Sequence, residues 1–326
     1  MNALLIVNPA AGRGRLHEAL AGALVELEKR GWRVTLTETR VKGDATRLAA
    51  SAVAQGKEAV VVVGGDGTLN EAANGLAGSE VALGVLPVGT GNVWAAEIGL
   101  VPLPTPLHKP DLVASAARLA DGVVRRIDLG RANGRHFLLW AGVGFDGRLT
   151  AAIEAEPRGR AMKRRMGPPA YLLLGLATAL TYAGRRATVT ADGHRLRRRV
   201  LLVLVGNSQL YAGAVRVTAR ARLDDGLLDV CVFEGKGFFH IFRHLVAIVA
   251  GRHLFNPHVA YIQARAVTIH APRPLPVQVD GEPMGTTPVE IEAVPGALQV
   301  LMPVDARQEL FSGPQGAPKT AGTRGR

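Results

Sequence analysis

The first third of the chain alternates between two textures. Short, continuous apolar runs, Ala3 to Val7, Ala59 to Val63 and Val81 to Leu86, and a further strand candidate, Trp32 to Thr37, are separated by stretches in which apolar residues recur every three or four positions. Continuous runs fit strands covered on both faces, and the longer period fits helices packed against them. The pattern predicts helices from about Leu16 to Arg30, from Asp44 as N-cap to about Gln55, from about Leu69 onward, up to Ile98, and from Asp111 as N-cap to about Ala120. Strand and helix in alternation predict a parallel α/β sheet.

At Val123 the texture changes. Val124 to Gly130 and His136 to Ala141 flank Asn133-Gly134, a two-residue hairpin signal. Short strands then dominate: Ala187–Thr190, Val200–Val205, Leu227–Phe233, Ala266–His270, Val277–Val279 and Ala297–Met302. They predict an antiparallel β-sandwich, interrupted by helices over about Pro169–Tyr182 and Phe238–Ala250. We place the division near Asp128. Residues 1–127 form an α/β unit, with the chain end at about 303–312 a candidate to join it. Residues 128–302 form the β unit, and the Gly-, Pro- and charge-rich tail 313–326 is expected to be disordered.

Composition changes the picture in three places. With 48% hydrophobic and 20% charged residues over 326 positions, the chain can bury sizeable cores. A single cysteine, Cys231, excludes an internal disulfide, and its apolar setting, LLDVCVFEG, predicts core packing. Lys and Arg outnumber Asp and Glu by 39 to 27, a net charge of +12, which favours polyanionic partners. Basic residues cluster at Arg158–Arg165, Arg185-Arg186 and Arg195–Arg199, and the second helix carries His240, Arg243 and His244. No helix-turn-helix, zinc-spacing or aromatic RNA-binding signature accompanies them, so nucleic acid is not expected. No targeting or membrane-spanning stretch is read either, which gives a cytoplasmic expectation.

Chemistry enters at the ends of the strands. Ala59–Val63 runs into Gly64-Gly65-Asp66-Gly67-Thr68-Leu69-Asn70-Glu71, Ala3–Val7 into Asn8-Pro9-Ala10-Ala11-Gly12, and Val81–Leu86 into Pro87-Val88-Gly89-Thr90-Gly91-Asn92. A strand, a glycine turn and a helix N-terminus are how a backbone meets phosphate, because glycine allows close approach and free N–H groups point outward. Three such turns should meet at the carboxyl edge of one parallel sheet. None is a Walker A loop or a dinucleotide fingerprint.

Read together, GGDGTLNE, NPAAG and LPVGTGN resemble the nucleotide-binding motifs of the diacylglycerol kinase catalytic-domain family, which includes bacterial lipid kinases and the sphingosine and ceramide kinases. Two later segments carry the resemblance to about residue 304. Arg222-Leu223-Asp224-Asp225-Gly226-Leu227-Leu228-Asp229 is similar to the family's LDDGxLD segment, and Val279-Asp280-Gly281-Glu282 to its VDGE signature. Departures are Val93-Trp94 where Asp-Phe is frequent, and the lack of a proline before Arg220.

The resemblance implies an NAD-kinase-like three-layer α/β domain followed by an antiparallel β-sandwich. It implies ATP and Mg²⁺ as cofactors and a lipid alcohol as acceptor, diacylglycerol-like being favoured. Asn8, Pro9, Ala10, Gly12, Thr39, Gly64, Gly65, Asp66, Gly67, Thr68, Asn70, Glu71, Gly89, Thr90 and Asn92 are its implied nucleotide contacts. Asp225 with the carbonyls of Arg222 and Leu227 is the implied structural Mg²⁺ site. Two carboxylates compete as catalytic base; Glu282 is preferred, and Asp66 is given the nucleotide's Mg²⁺. A kinase working on lipid implies peripheral contact with an anionic membrane, for which the basic clusters are candidates. A homodimer is left open. The competing readings are a kinase for a soluble acceptor such as NAD, against which the VDGE ending argues, and a non-catalytic nucleotide-binding protein, against which intact Asp66 and Glu282 argue.

Overall fold

The computed structural model describes residues 1–11, 16–89, 91–103, 111–155, 168–211, 215–313 and 319–320. In chain order the first half is β1 (Asn2–Val7), α1 (Leu16–Lys29), β2 (Arg33–Glu38), α2 (Asp44–Ala54), β3 (Ala59–Gly64), α3 (Asp66–Leu76), β4 (Ala82–Pro87), α4 (Val93–Glu97) and α5 (Leu112–Ala120). The second begins with β5 (Val123–Ala132), β6 (Arg135–Phe137), β7 (Trp140–Gly144) and α6 (Phe145–Thr150). A π-helical turn (Ala151–Ala155), α7 (Pro168–Thr181), β8 (Arg185–Ala191), β9 (His194–Gly206), β10 (Leu210–Tyr211) and β11 (Val215–Arg216) follow. The chain closes with β12 (Leu228–Glu234), α8 (Phe238–Val249), β13 (Val259–Ala264), β14 (Ala266–His270), β15 (Pro276–Val279), β16 (Glu282–Thr286), β17 (Val289–Met302) and β18 (Lys319–Thr320).

Strands β2, β1, β3 and β4 lie side by side and parallel. In β1, β3 and β4 period-two alternation explains two covered faces, while β2, at the sheet edge, is largely exposed. Leu4, Ile6, Val60, Val62, Leu83 and Val85 pack with Ala45, Ala49, Leu69, Ala73 and Leu76 of α2 and α3. Ala3, Leu5, Val7, Val61 and Val63 pack with Leu20, Leu27, Ala116 and Leu119 of α1 and α5. Each fully buried Val or Leu contributes about 1.5–3 kcal/mol, so this three-layer stack is a stiff support for the turns at its edge.

The later strands are antiparallel, and their inward residues, among them Val143, Val189, Val203, Val205, Val230, Val232, Val267, Ile269, Val277 and Ile291, form a second core. Asn133 and Gly134 adopt φ of 42° and 86° between β5 and β6, as the hairpin signal predicts. Cys231 is buried in the core. Strand β17 belongs to both halves. It pairs antiparallel with β14 and β5, then lies parallel to β4 through Gln299–Ala82 and Val300–Leu83. Beyond it, Asp305 accepts from Arg118 at 2.7 Å and Arg307 Nε donates to the Glu97 carbonyl at 3.1 Å.

Two local expectations are corrected. Helix α3 starts at Asp66, not near Leu69, so Asp66, Gly67 and Thr68 form its first turn. Asp44 is not the N-cap of α2: Gly43 occupies that position. The Asp44 Oδ2 instead accepts the amides of Arg40 at 2.8 Å and Val41 at 3.1 Å, bracing the preceding turn. Asp111 does cap α5, accepting from Val113 and Ala114 at 2.9 and 3.1 Å. The tail expectation and the basic cluster at Arg158–Arg165 fall outside the described residues, except that Lys319–Thr320 pair with β5. No described helix is long and apolar enough to cross a membrane.

Candidate active site

Three turns converge at the carboxyl edge of the parallel strands. The Asn8 amide donates to the Val63 carbonyl at 3.0 Å, its Nδ2 donates to Thr68 Oγ1 at 2.8 Å, and its Oδ1 accepts from Ala10 N–H at 3.0 Å. Asparagine suits this place because one short side chain carries both donor and acceptor. Thr39 N–H donates to the Val7 carbonyl at 2.9 Å and Val88 N–H to that of Gly64 at 3.2 Å. A Cβ added to Gly89 would stand 2.7 Å from the Gly65 Cα, so the two glycine turns touch backbone to backbone. Asn92 Nδ2 closes the third turn on the Gly89 carbonyl at 2.7 Å. Gly67 is exposed, with no atom within 4 Å of an added Cβ.

Pro9 and Ala10 are exposed beside this edge. Gly12 and Thr90 lie outside the described residues. The Glu71 carbonyl accepts from Thr46 Oγ1 at 2.8 Å, tying α3 to α2. The Asp66 Oδ2 accepts the amide of Val93 at 3.0 Å and Oδ1 that of Trp94 at 3.1 Å, so its carboxylate caps α4. Burial pushes the Asp66 carboxyl above its ordinary range against the pull of those amides.

A second group forms across from this edge. Asn70, buried on α3, donates to Asp280 Oδ2, which also accepts Leu138 N–H at 2.8 Å; Oδ1 accepts the amides of Leu139 at 3.0 Å and Trp140 at 2.9 Å. Burial raises the Asp280 carboxyl to about 6, opposed by the three amides and aided by the charge of Asp66. Gln278 Oε1 accepts from Gly281 N–H at 2.7 Å, and Asp146 holds Gln278 and Tyr211 by short hydrogen bonds, so the turn before Glu282 is pinned on both sides.

Glu282 opens β16, partly exposed. Its Oε2 meets Lys42 Nζ at 2.9 Å and Arg135 Nη2 at 2.7 Å. Burial pushes its carboxyl up, but the two cations outweigh burial and hold it below the usual glutamate value. Lys42, Arg135 and the bridging role of Asp280 have no local sequence signal. The contacts join positions as far apart as 42 and 282, and Asp280 stands out only as part of VDGE.

The LDDG segment lines a separate cavity of about 580 Å³ with Arg126, Asp128, Arg265 and Gly296. Asp225 Oδ1 accepts Leu227 N–H at 3.0 Å, and Arg222 Nη1 reaches the Ser312 carbonyl at 3.5 Å. Burial first, then the charges of Asp128 and Asp224, raises the Asp225 carboxyl. Among the described residues no three His, Cys, Asp or Glu side chains converge as metal ligands. A hard cation here would rest on Asp225, carbonyls and water, a donor set that fits Mg²⁺ and relieves the crowded negative charge.

Residues 2–132 match the family described as Diacylglycerol kinase catalytic domain, and residues 142–302 match the YegS C-terminal NAD kinase beta sandwich-like domain. A protein named Diacylglycerol kinase from Mycobacterium tuberculosis (strain ATCC 25618 / H37Rv) is 33% identical over 304 residues, spanning 91% of this chain and 94% of that one. The chain belongs to the diacylglycerol kinase family. Its Bacillus subtilis (strain 168) relative of the same name is 29% identical over 310 residues, 94% of this chain and 98% of the other. The crystal structure of a diacylglycerol kinase from Bacillus anthracis str. Sterne superposes with a TM-score of 0.69 at 26% identity, covering 93% of this chain and 97% of that one. The family's two-part build, α/β followed by β-sandwich, is the one described above.

Proposed function

We propose that this chain transfers the γ-phosphoryl group of ATP to the hydroxyl of a diacylglycerol-like lipid. The observation that supports it is the Asn70–Asp280 contact, which joins the glycine-turn edge to the turn carrying Glu282. Phosphoryl transfer is chiefly positioning and charge stabilisation. The turns at Asn8–Ala10, Gly64–Thr68 and Gly89 offer backbone N–H groups, and the N-terminus of α3 adds its positive dipole.

Mg²⁺ bound with the nucleotide would neutralise phosphate charge. Asp66 caps α4 with one amide per oxygen, and its remaining lone pairs would hold the water shell of that ion. A structural Mg²⁺ would rest on Asp225 and the carbonyls of Arg222 and Leu227. Asp66 is committed to α4, which leaves Glu282 as the carboxylate that takes the lipid hydroxyl proton. Lys42 and Arg135 keep Glu282 ionised. When the transferring phosphate draws these cations away, the Glu282 carboxylate becomes more basic at the moment a proton must be accepted.

Transfer of labelled phosphate from ATP across a panel of diacylglycerol, monoacylglycerol, ceramide and sphingoid base, with NAD as the soluble control, tests the reading. Label on diacylglycerol is expected; label on NAD alone would overturn it.

A further inference from the structure

Helix α8 is apolar on both sides, with Ile248 packed, partly buried, against the core. The residue it buries is a histidine, His244, whose Nε2 lies 2.8 Å from the Glu234 carbonyl. Its outward face carries Phe239, Phe242, Leu245, Val246 and Val249, exposed by 52 to 82%. A surface helix in water turns a polar face outward. Just beyond it, Phe255 is 87% exposed, and the adjoining helix α7 exposes Leu176 and Leu180. Scattered surface apolar residues need no explanation, but a contiguous patch of this kind marks a docking surface.

The charge around the patch is mostly of one sign; the acid at its base, Glu234, is paired with Arg198 at 3.1 Å. From Gly235 to Val279 the chain has no acidic residue. Lys236, Arg243 and Arg252 are exposed on or beside α8. The arginine strands abut its base: Gly235 N–H donates to the Arg199 carbonyl at 3.0 Å, and Arg199 Nη1 reaches the Ala183 and Gly184 carbonyls at 3.3 and 3.2 Å just past α7. Arg185, Arg186 and Arg197 are exposed on the same pair of strands. A two-fold contact between copies would set this basic ring against itself. An apolar face ringed by Lys and Arg matches an anionic bilayer, apolar beneath and negative at its surface.

We infer that the outward face of α8, with Phe239, Phe242, Val246, Val249 and Phe255, inserts into the interfacial layer of an anionic membrane. The basic strand ends β8 and β9 lie against the headgroups. The inference deepens the lipid-kinase reading, since the helices flank the sandwich strands that carry Glu282: α7 packs on α6, and α6 on β15 and β16.

The test reads membrane binding apart from activity. The full chain is floated with vesicles of phosphatidylcholine alone and of phosphatidylcholine mixed with phosphatidylglycerol. Binding is expected on the mixed vesicles and should weaken with salt. Phe239→Ser with Phe242→Ser should weaken it by roughly tenfold for each phenylalanine. Those side chains are exposed, so the folded state, checked by thermal melting, should hold. A second variant, Phe242→Trp, places a reporter on the face while Trp32, Trp94 and Trp140 are buried. Its emission should shift to the blue and be quenched by brominated lipid.

Unchanged binding of the serine variant, or an unquenched signal from the introduced tryptophan on bound vesicles, would overturn the inference. So would self-association through this face without vesicle binding. Failure to phosphorylate short-chain, water-soluble diacylglycerol would instead sink the lipid-kinase reading, because that assay needs no membrane.

Discussion

The glycine-turn edge and the Glu282 cluster sit on the same molecule but are made in different ways. The edge is local. Each turn follows its own strand, contacts are mostly backbone, and the parts lie within residues 7–94. The cluster is assembled from distant pieces: Lys42 before α2, Asn70 on α3, Arg135 on β6, the amides of residues 138–140, Asp280 just past β15 and Glu282 at the start of β16. A backbone-built site tolerates side-chain change but not bulk. A side-chain-built site tolerates neither the loss of a charge nor a missing partner. This difference sets what each region should do when altered.

The largest effect is expected at the cluster. Glu282→Gln should lower kcat by about 10²–10⁴ while ATP affinity, which the proposed reading assigns to the edge, stays near that of the parent. Steady-state kinetics beside calorimetry separates the two regions. Near-parental kcat would pass the proton to another group, with Asp66 the next candidate.

The edge should fail through bulk, in two distinct ways. Gly67→Val meets no protein atom, so it should weaken ATP binding by about tenfold or more while melting stays close to the parent. Gly89→Val drives its Cβ onto the Gly65 backbone and should destabilise by about 1–3 kcal/mol before any ligand is added. Equal ATP affinity for Gly67→Val and parent would remove phosphate from this turn.

The joint between the regions comes next. Asn70→Ala takes one donor from buried Asp280 and should cost about 1–3 kcal/mol. A double-mutant cycle with Asp280→Asn should show strong coupling.

The smallest effect is a pH slope. Burial raises Asp280 to about 6, above its unfolded value, so the folded chain holds the extra proton between those two pH values. Stability from this group should therefore rise as pH falls from about 6 toward 4. Asp229, raised to about 6 chiefly by burial, adds a slope of the same sign. Glu282 has the opposite sign, and its ion pairs are lost only as pH falls through its depressed value. Denaturant melts across this range should show a shallower slope in Asp280→Asn.

The same difference explains what can be read in advance. The parallel strands, the hairpin at Asn133-Gly134 and the three glycine turns are signalled by neighbours in sequence, and the structure brings those turns together. The start of α3 escapes the sequence pattern because glycine at residue 67 reads as a loop, although a helix N-terminus accepts it and welcomes the acid at residue 66. The Lys42–Glu282 and Asn70–Asp280 contacts are not legible, since nothing near any of these residues names its partner. The outward phenylalanines of α8 illustrate a further gap: periodicity shows that a helix has an apolar side but not which way that side faces.

Strand β17 gives the chain a particular order of assembly. It spans residues 289–302, yet it pairs with β4 and so covers an edge of the first parallel sheet. On the ribosome that edge stays open until residues 289–302 have emerged. A nascent chain halted in the sandwich carries an apolar strand with unpaired amides, a template for pairing with other chains. Contacts this far apart in sequence also slow folding. A strand made late thus closes a sheet begun by the first, and the glycine-turn edge gains its full support only after residues 289–302 are made.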